Sequence, residues 1–339
     1  MANVTYTVPN KNGSYDGDMV VKQYSSMTIN NGDTITTDQP CRGLMILVQG
    51  NCTINGTLSM TGRGAYANPT SNGGSDSNSV DANGLRMPFV TSGGSSSLSA
   101  SNTLFNGCGN DARSVLGNFK TISSSGDIIT LARQGANGGA AGGAQTNGAA
   151  GSNGGTGQTG GGGAGARGWN APTGSGSYGS CFAGGSGGGG SNGNSDSSGN
   201  ATAWAGPGGN AATDHSAATS GGVGNPAGSN DTTSGSANNS DNGVGGLIIL
   251  IVGGNLTIGS NGSIVANGNN SGNCSGGNQW HGSGGAAGGG NIVIVHRGSY
   301  TNNGSVTANG GTSGTIASYQ YARRGGNGGN GSVQTLQVL

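Results

Sequence analysis

The chain has 339 residues, and 79 of them are glycine, nearly a quarter where about 7% is usual. Hydrophobic residues are 30%, aromatic residues 4% and charged residues 7%, and the net charge is zero. Such a chain lacks the side chains for a core of normal size, the basic footprint that nucleic acid needs, and the high net charge of ordinary disorder.

Backbone hydrogen bonding must therefore carry much of the order, helped by a repetitive architecture or a homo-oligomer that buries more surface. Cys41, Cys52, Cys108, Cys181 and Cys274 are scattered and odd in number, with no Cys-x-x-Cys pair. That spacing indicates neither a disulfide framework nor a metal site, and free thiols are expected. The start, Met1-Ala2-Asn3-Val4-Thr5, has neither a basic segment nor an apolar run, so no secretory signal is read there. The longest apolar run, Leu247 to Val252, is far too short to span a membrane. Synthesis in a cytoplasm without membrane insertion is the expectation.

Residues 1–65 read as an N-terminal β-strand region. Enrichment in Val, Thr, Tyr and Ile between Asn-Gly turns predicts strands over Asn3–Val8, Met19–Tyr24, Ser26–Ile29 and Thr34–Thr37. A unit then begins that occurs three times: a buried strand, an Asn/Gly turn, a short strand, an Asn-Gly turn and another short strand. Its buried runs are Leu44–Val48, Leu247–Val252 and Ile292–Val295. Recurring units of this kind suggest stacked coils, a small β-solenoid or sandwich closed by Ser332–Leu339 as a last strand. Because such runs escape water only by mutual packing, the units should lie together despite their separation in the chain.

Residues 66–134 read as a loop-rich connecting region, with strands over Lys120–Ser123 and Asp127–Leu131. Asp76 and Asp81 offer oxygen ligands there, but their spacing matches no calcium-loop pattern, and a solvated loop is the better reading.

Residues 135–245 are the glycine-rich region. From Gly148 to Gly163 every third residue is glycine, and the phase returns at Gly184–Gly193, Gly282–Gly288 and Gly325–Gly331. A three-residue period with one edge bare of side chains marks a left-handed extended helix. Collagen would need abundant proline, and residues 139 to 163 contain none. The expected structure is a bundle of polyglycine II helices whose bare edges let backbones hydrogen-bond to one another. Residues 246–339 combine the β-strand repeats with further tracts of this kind. The fold class is thus all-β and irregular, with essentially no α-helix.

The few large side chains stand between the tracts: Trp169, Tyr178, Phe182, Trp204, Trp280, His281, Tyr319, Tyr321, Arg323 and Arg324. They read either as an exposed receptor-binding surface or as plugs that close the bundle ends. No nucleophile, base and acid converge, the chain has only His215, His281 and His296 as histidines, and the phosphate-loop imitations lack their lysine. Neither an enzyme, a cofactor nor a metal is predicted.

Tracts in phase three, joined by variable aromatic segments, and strand units ending in Ser263-Ile-Val-Ala-Asn-Gly268 and Ser305-Val-Thr-Ala-Asn-Gly310 resemble the glycine-rich tail-fibre and adhesin proteins of tailed bacteriophages. The resemblance covers roughly residues 40 to 335. It implies a sandwich of polyglycine II helices with receptor-reading loops at one end, in a virion protein assembled in the host cytoplasm. Other virion proteins and a host-surface protein or glycan would be its partners. The competing readings are a purely structural fibre or capsid decoration, and an ice-binding protein built on flat polyglycine II faces.

Overall fold

The computed structural model describes residues 2–11, 17–65, 97–99, 130–132, 135–141, 143, 145–166, 175–176, 178–179, 182–188, 243–271, 282–316 and 323–337. None of these is α-helical. In chain order the strands are β1 Val4–Tyr6, β2 Val20–Tyr24, β3 Met27–Ile29, β4 Thr34–Thr37, β5 Leu44–Val48, β6 Cys52–Ile54, β7 Thr57–Ser59, β8 Ser97–Ser99 and β9 Thr130–Ala132. After the glycine-rich region come β10 Leu247–Val252, β11 Leu256–Ile258, β12 Ser263–Val265, β13 Asn291–His296, β14 Tyr300–Asn302, β15 Ser305–Thr307 and β16 Ser332–Gln337. The last two predicted residues of β16 and the predicted strand over 120–123 lie outside the described residues. The strand predicted over Asp127–Leu131 is represented by β9, which pairs antiparallel with β8.

All other strands pair in parallel. They form three sheets, ordered β1-β4-β7-β12-β15, β16-β13-β10-β5-β2 and β14-β11-β6-β3. The chain visits the sheets in rotation, so each repeat unit lays one strand on each of the three. The predicted proximity of the units holds: β5 pairs with β10 and β10 with β13, in register along their lengths.

The register explains the core. In-register stacking places like residues in columns, such as Ile29, Ile54 and Ile258, or Ile35, Leu58, Ile264 and Val306. Short strands alternate: Cys52 and Ile54 point inward in β6 and Leu58 in β7, with half-exposed threonines and serines between. The long strands β5, β10 and β13 are buried on both faces. That double burial is why they read as unbroken apolar runs. Asparagines hold the corners. Asn51 accepts the Asn255 N–H through Oδ1 at 2.9 Å, and Asn255 accepts the Ser299 N–H in the next unit at 2.9 Å.

The tracts leave from the third strand of a unit and return to the first strand of the next. Residues 158–166 lie at their centre, and residues 160–166 are wholly buried. Gly160, Gly163 and Ala166 donate N–H bonds to Gly289, Ala286 and Ser283 of one neighbouring tract. Gly161 and Ala164 donate to Ser152 and Ala149 of a second. Their carbonyls accept in turn: Thr159 and Gly162 from Ala136 and Gly139, Gly160 and Gly163 from Gly185 and Gly188, Gly161 and Ala164 from Gly329 and Gly326. Each direction thus serves every third residue. Neither a strand nor an α-helix directs its bonds this way, since a strand alternates between two sides and an α-helix bonds to itself.

Glycine is required by the closeness of these approaches. A Cβ at Gly163 would strike the Gly326 carbonyl, and one at Gly326 the Ala149 carbonyl. At the end nearest the sheets the chain reverses through Gly155–Gln158, with Gly157 at φ 74°. This turn is pinned to the strand body. The Gly157 N–H donates to Ser332 Oγ at 3.1 Å, Ser332 Oγ donates to Asn291 Oδ1 at 2.6 Å, and Asn291 Nδ2 donates to the Gly157 carbonyl at 3.2 Å. Asn291 is fully buried. Its amide is satisfied on both sides, so no buried polar group is wasted at the junction.

Candidate functional site: the far end of the glycine-rich tracts

The tract registers define two ends. At the near end Gly290 and Gly331 pass directly into β13 and β16, and their N–H groups bond to Ala266 and Ala308. The far end is a linked group of termini. Ala166 donates to Ser283, Ser283 to Arg323, and Gly148 to Arg324. Ser271 Oγ donates to the Gly284 carbonyl at 2.7 Å, and Ser283 Oγ reaches the Gly314 carbonyl at 3.5 Å. At this end the described chain leaves its tracts after Ala166, Ser271 and Ile316 and re-enters at Gly282 and Arg323.

At this end Thr146 Oγ1 donates to the Gly143 carbonyl at 2.7 Å. Gln145 has φ 60°, unusual for a residue with a side chain. Its carbonyl accepts Arg323 Nε at 2.6 Å, while Asn147 Oδ1 accepts the Arg324 N–H at 3.0 Å. Arg323 is thereby half-buried and fixed, and Arg324 is exposed. From Asn242 to Leu339 the sequence has no Asp or Glu, so no carboxylate side chain of that segment offsets these two guanidinium groups. An anion meeting the far end would find a cation held in place by backbone.

The other predicted site residues divide. Tyr178 is half-buried beside the Gly179–Gly135 bond. Phe182 is a correction to the surface reading: it is 1% exposed and lies under the Arg42 guanidinium, 5.7 Å from ring centroid to Cζ. Its ring is buried where tract 182–188 meets the strand body, with Ala183 bridging to Gly246 beside it. Arg42 is itself 1% exposed, and nothing in its sequence setting marks it for burial. Trp169, Trp204, Trp280, His281, Tyr319 and Tyr321 lie outside the described residues, as do Asp76 and Asp81.

One set of residues escaped the sequence reading. Asn147, Asn153, Asn267, Asn327 and Asn330 each accept a backbone N–H from a neighbouring tract through Oδ1. The signal was present, since Asn327 and Asn330 keep the three-residue phase followed only for glycine.

Among the described residues no group of three or more His, Cys, Asp or Glu could hold a metal ion, and no helix is long and apolar enough to cross a membrane. Comparison with family models, curated proteins and solved structures found no match.

Proposed function

We propose that this chain is a non-enzymatic structural protein of a bacteriophage virion, a tail-fibre or adhesin component that binds the host surface. In this reading the strand body is a β-solenoid, and the tracts project from it as a bundle of polyglycine II helices. Parallel in-register pairing on three sheets supports the solenoid, because a sandwich pairs its strands antiparallel. Hydrogen bonds repeating at every third residue in several directions support the polyglycine II bundle.

One observation carries the function. The segments containing Trp169, Trp280, Tyr319 and Tyr321 are joined in the sequence to Ala166, Gly282, Ile316 and Arg323, described tract residues of the far end. Tracts of Gly, Ala, Ser and Asn present mostly backbone, whereas binding hot spots want aromatic and Arg anchors. A bundle whose far end carries Arg323 and Arg324 and is joined in the sequence to aromatic segments, with the strand body at the other end for attachment to virion proteins, suits an adhesin. The burial of Phe182 favours the purely structural role for that residue.

Alanine replacements at Trp280 and Tyr319 test the proposal when melting temperature and cell attachment are measured on the same samples. Loss of attachment by folded variants supports it. Unchanged attachment by both removes the proposed site and leaves the structural fibre as the better reading.

A further inference from the structure

The geometry points to a second binding surface, on the side of the tracts, that takes a strand of acidic polysaccharide. Four tracts lie side by side there. Asn309 N–H bonds Asn267 Oδ1 and links the tract at 266–271 to that at 308–316. Gly310 N–H and Ser313 N–H bond Asn330 Oδ1 and Asn327 Oδ1 and link the latter to 323–331. Asn330 N–H and Arg324 N–H bond Asn153 Oδ1 and Asn147 Oδ1 and add residues 147–154. All five bonds are at 2.7–3.0 Å and face solvent.

Because a backbone N–H can be met only by the amide oxygen, each bond fixes which end of the carboxamide turns away from the neighbouring tract. The Nδ2 groups of Asn147, Asn153, Asn267, Asn327 and Asn330 have no acceptor among the described residues, and all but half-buried Asn267 are exposed. The face is therefore an array of donors on three of the four tracts, spaced three residues apart at Asn327 and Asn330 and six apart at Asn147 and Asn153. Exposed Arg324 adds positive charge at one corner, and the described residues of 135–331 include no Asp or Glu. A complementary ligand is repetitive, extended, rich in acceptors and negatively charged. A polymer of uronic acids meets all four demands. The side chains are already immobilised, so binding spends little of their freedom. Nothing in this argument depends on the adhesin reading or on the aromatic segments.

The test uses the full chain, polyuronate as the probe, and dextran as a neutral control, with retardation in affinity electrophoresis as the readout. Wild type should be retarded by polyuronate and not by dextran, and Arg324→Gln should weaken the salt-sensitive part of that retardation. Asn327→Asp with Asn330→Asp is the decisive variant, since each Asp keeps the acceptor for its backbone N–H while replacing the outward donor with negative charge. At least a tenfold loss of affinity with an unchanged melting temperature is expected. If that pair fails to fold, Asn153→Asp alone should show a smaller loss in a folded chain. Unchanged affinity in whichever variant folds overturns the proposal, as does equal retardation by dextran, absence of retardation of wild type, or retention by DNA but not by polyuronate. The adhesin reading is judged separately, by cell attachment of the Trp280→Ala and Tyr319→Ala variants.

Discussion

At the scale of residues, glycine and asparagine divide the labour of the tracts. Glycine permits approach and asparagine caps the backbone groups that approach leaves at the surface. Substitutions at glycine should therefore sort by what a methyl group would meet. At Gly163 it meets the Gly326 carbonyl, a backbone atom that cannot step aside, whereas at Gly143 it meets nothing within 4 Å. Gly163→Ala should cost about 3 kcal/mol in chemical denaturation, and Gly143→Ala should stay within about 0.5 kcal/mol. A second pair makes the same comparison at the turn. Gly154→Val drives a branched side chain into the Gln158 carbonyl, while Thr156→Val changes an exposed side chain. Comparable melting shifts within either pair would refute this packing. Cys41 and Cys52 carry buried thiols that are in no disulfide, and the remaining cysteines lie outside the described residues. Burial pushes the Cys52 thiol up to about 12 from an ordinary 9.0. Above pH 9 the unfolded chain ionises this thiol while the folded chain keeps it neutral, so folding loses stability progressively as pH rises from about 9 to 12. Melting temperature should fall over that window, and Cys52→Ala should flatten the fall even though it lowers the starting value.

At the scale of elements, the tracts and strands differ in what satisfies the backbone. A short strand such as β6 bonds to two neighbours in its sheet, while the central tract bonds to five others through N–H and carbonyl groups in rotation. Its order rests on backbone pairing with almost no side-chain burial, which makes hydrogen exchange the direct measure. Peptides covering residues 158–166 should exchange as slowly as those covering β10, because Gly160, Gly161, Gly163 and Ala164 all donate bonds inside the bundle. Rates near those of an unstructured peptide would mean that the tract behaves as a flexible linker. The three-residue phase carried this element legibly, since every third position had to lack a side chain. It could not reveal that residues 158–166 occupy the centre, because tracts 148–154 and 282–290 carry the same phase.

For the whole molecule, the strand body is assembled from the two ends of the chain. β4 and β7 share a sheet with β12 and β15, and β5 pairs with β10 across almost 200 residues of intervening sequence. The two parts should hold together without the covalent link. With a protease site inserted near residue 115, cleavage should leave the fragments co-eluting on size exclusion under native conditions and separating only in denaturant. Separation in native buffer would contradict the shared core. The near end of the bundle is fixed to this body through Asn291, Ser332 and Gly157, and Asn291→Ala should cost about 1–3 kcal/mol by stranding a buried backbone carbonyl and the Ser332 hydroxyl.

Local regularities were enough to determine that the described residues hold no α-helix, and to determine the three strand units and the extended tracts. Alternation in β6, double-sided burial in β5, β10 and β13, and glycine at every third position are each constraints that one short segment imposes on itself. The units' proximity followed too, since apolar runs must find one another. Three matters were decided only in the tertiary structure: the parallel register of the sheets, the burial of Phe182 beneath Arg42, and the asparagine array. Register depends on how the glycine-rich insertions return the chain to the strand body. Phe182 and Arg42 meet only because tract 182–188 comes to rest there. The asparagines point their oxygens at backbone N–H groups up to 177 residues away. Such partners are chosen by three-dimensional packing, and no pattern along the chain encodes which tract becomes whose neighbour.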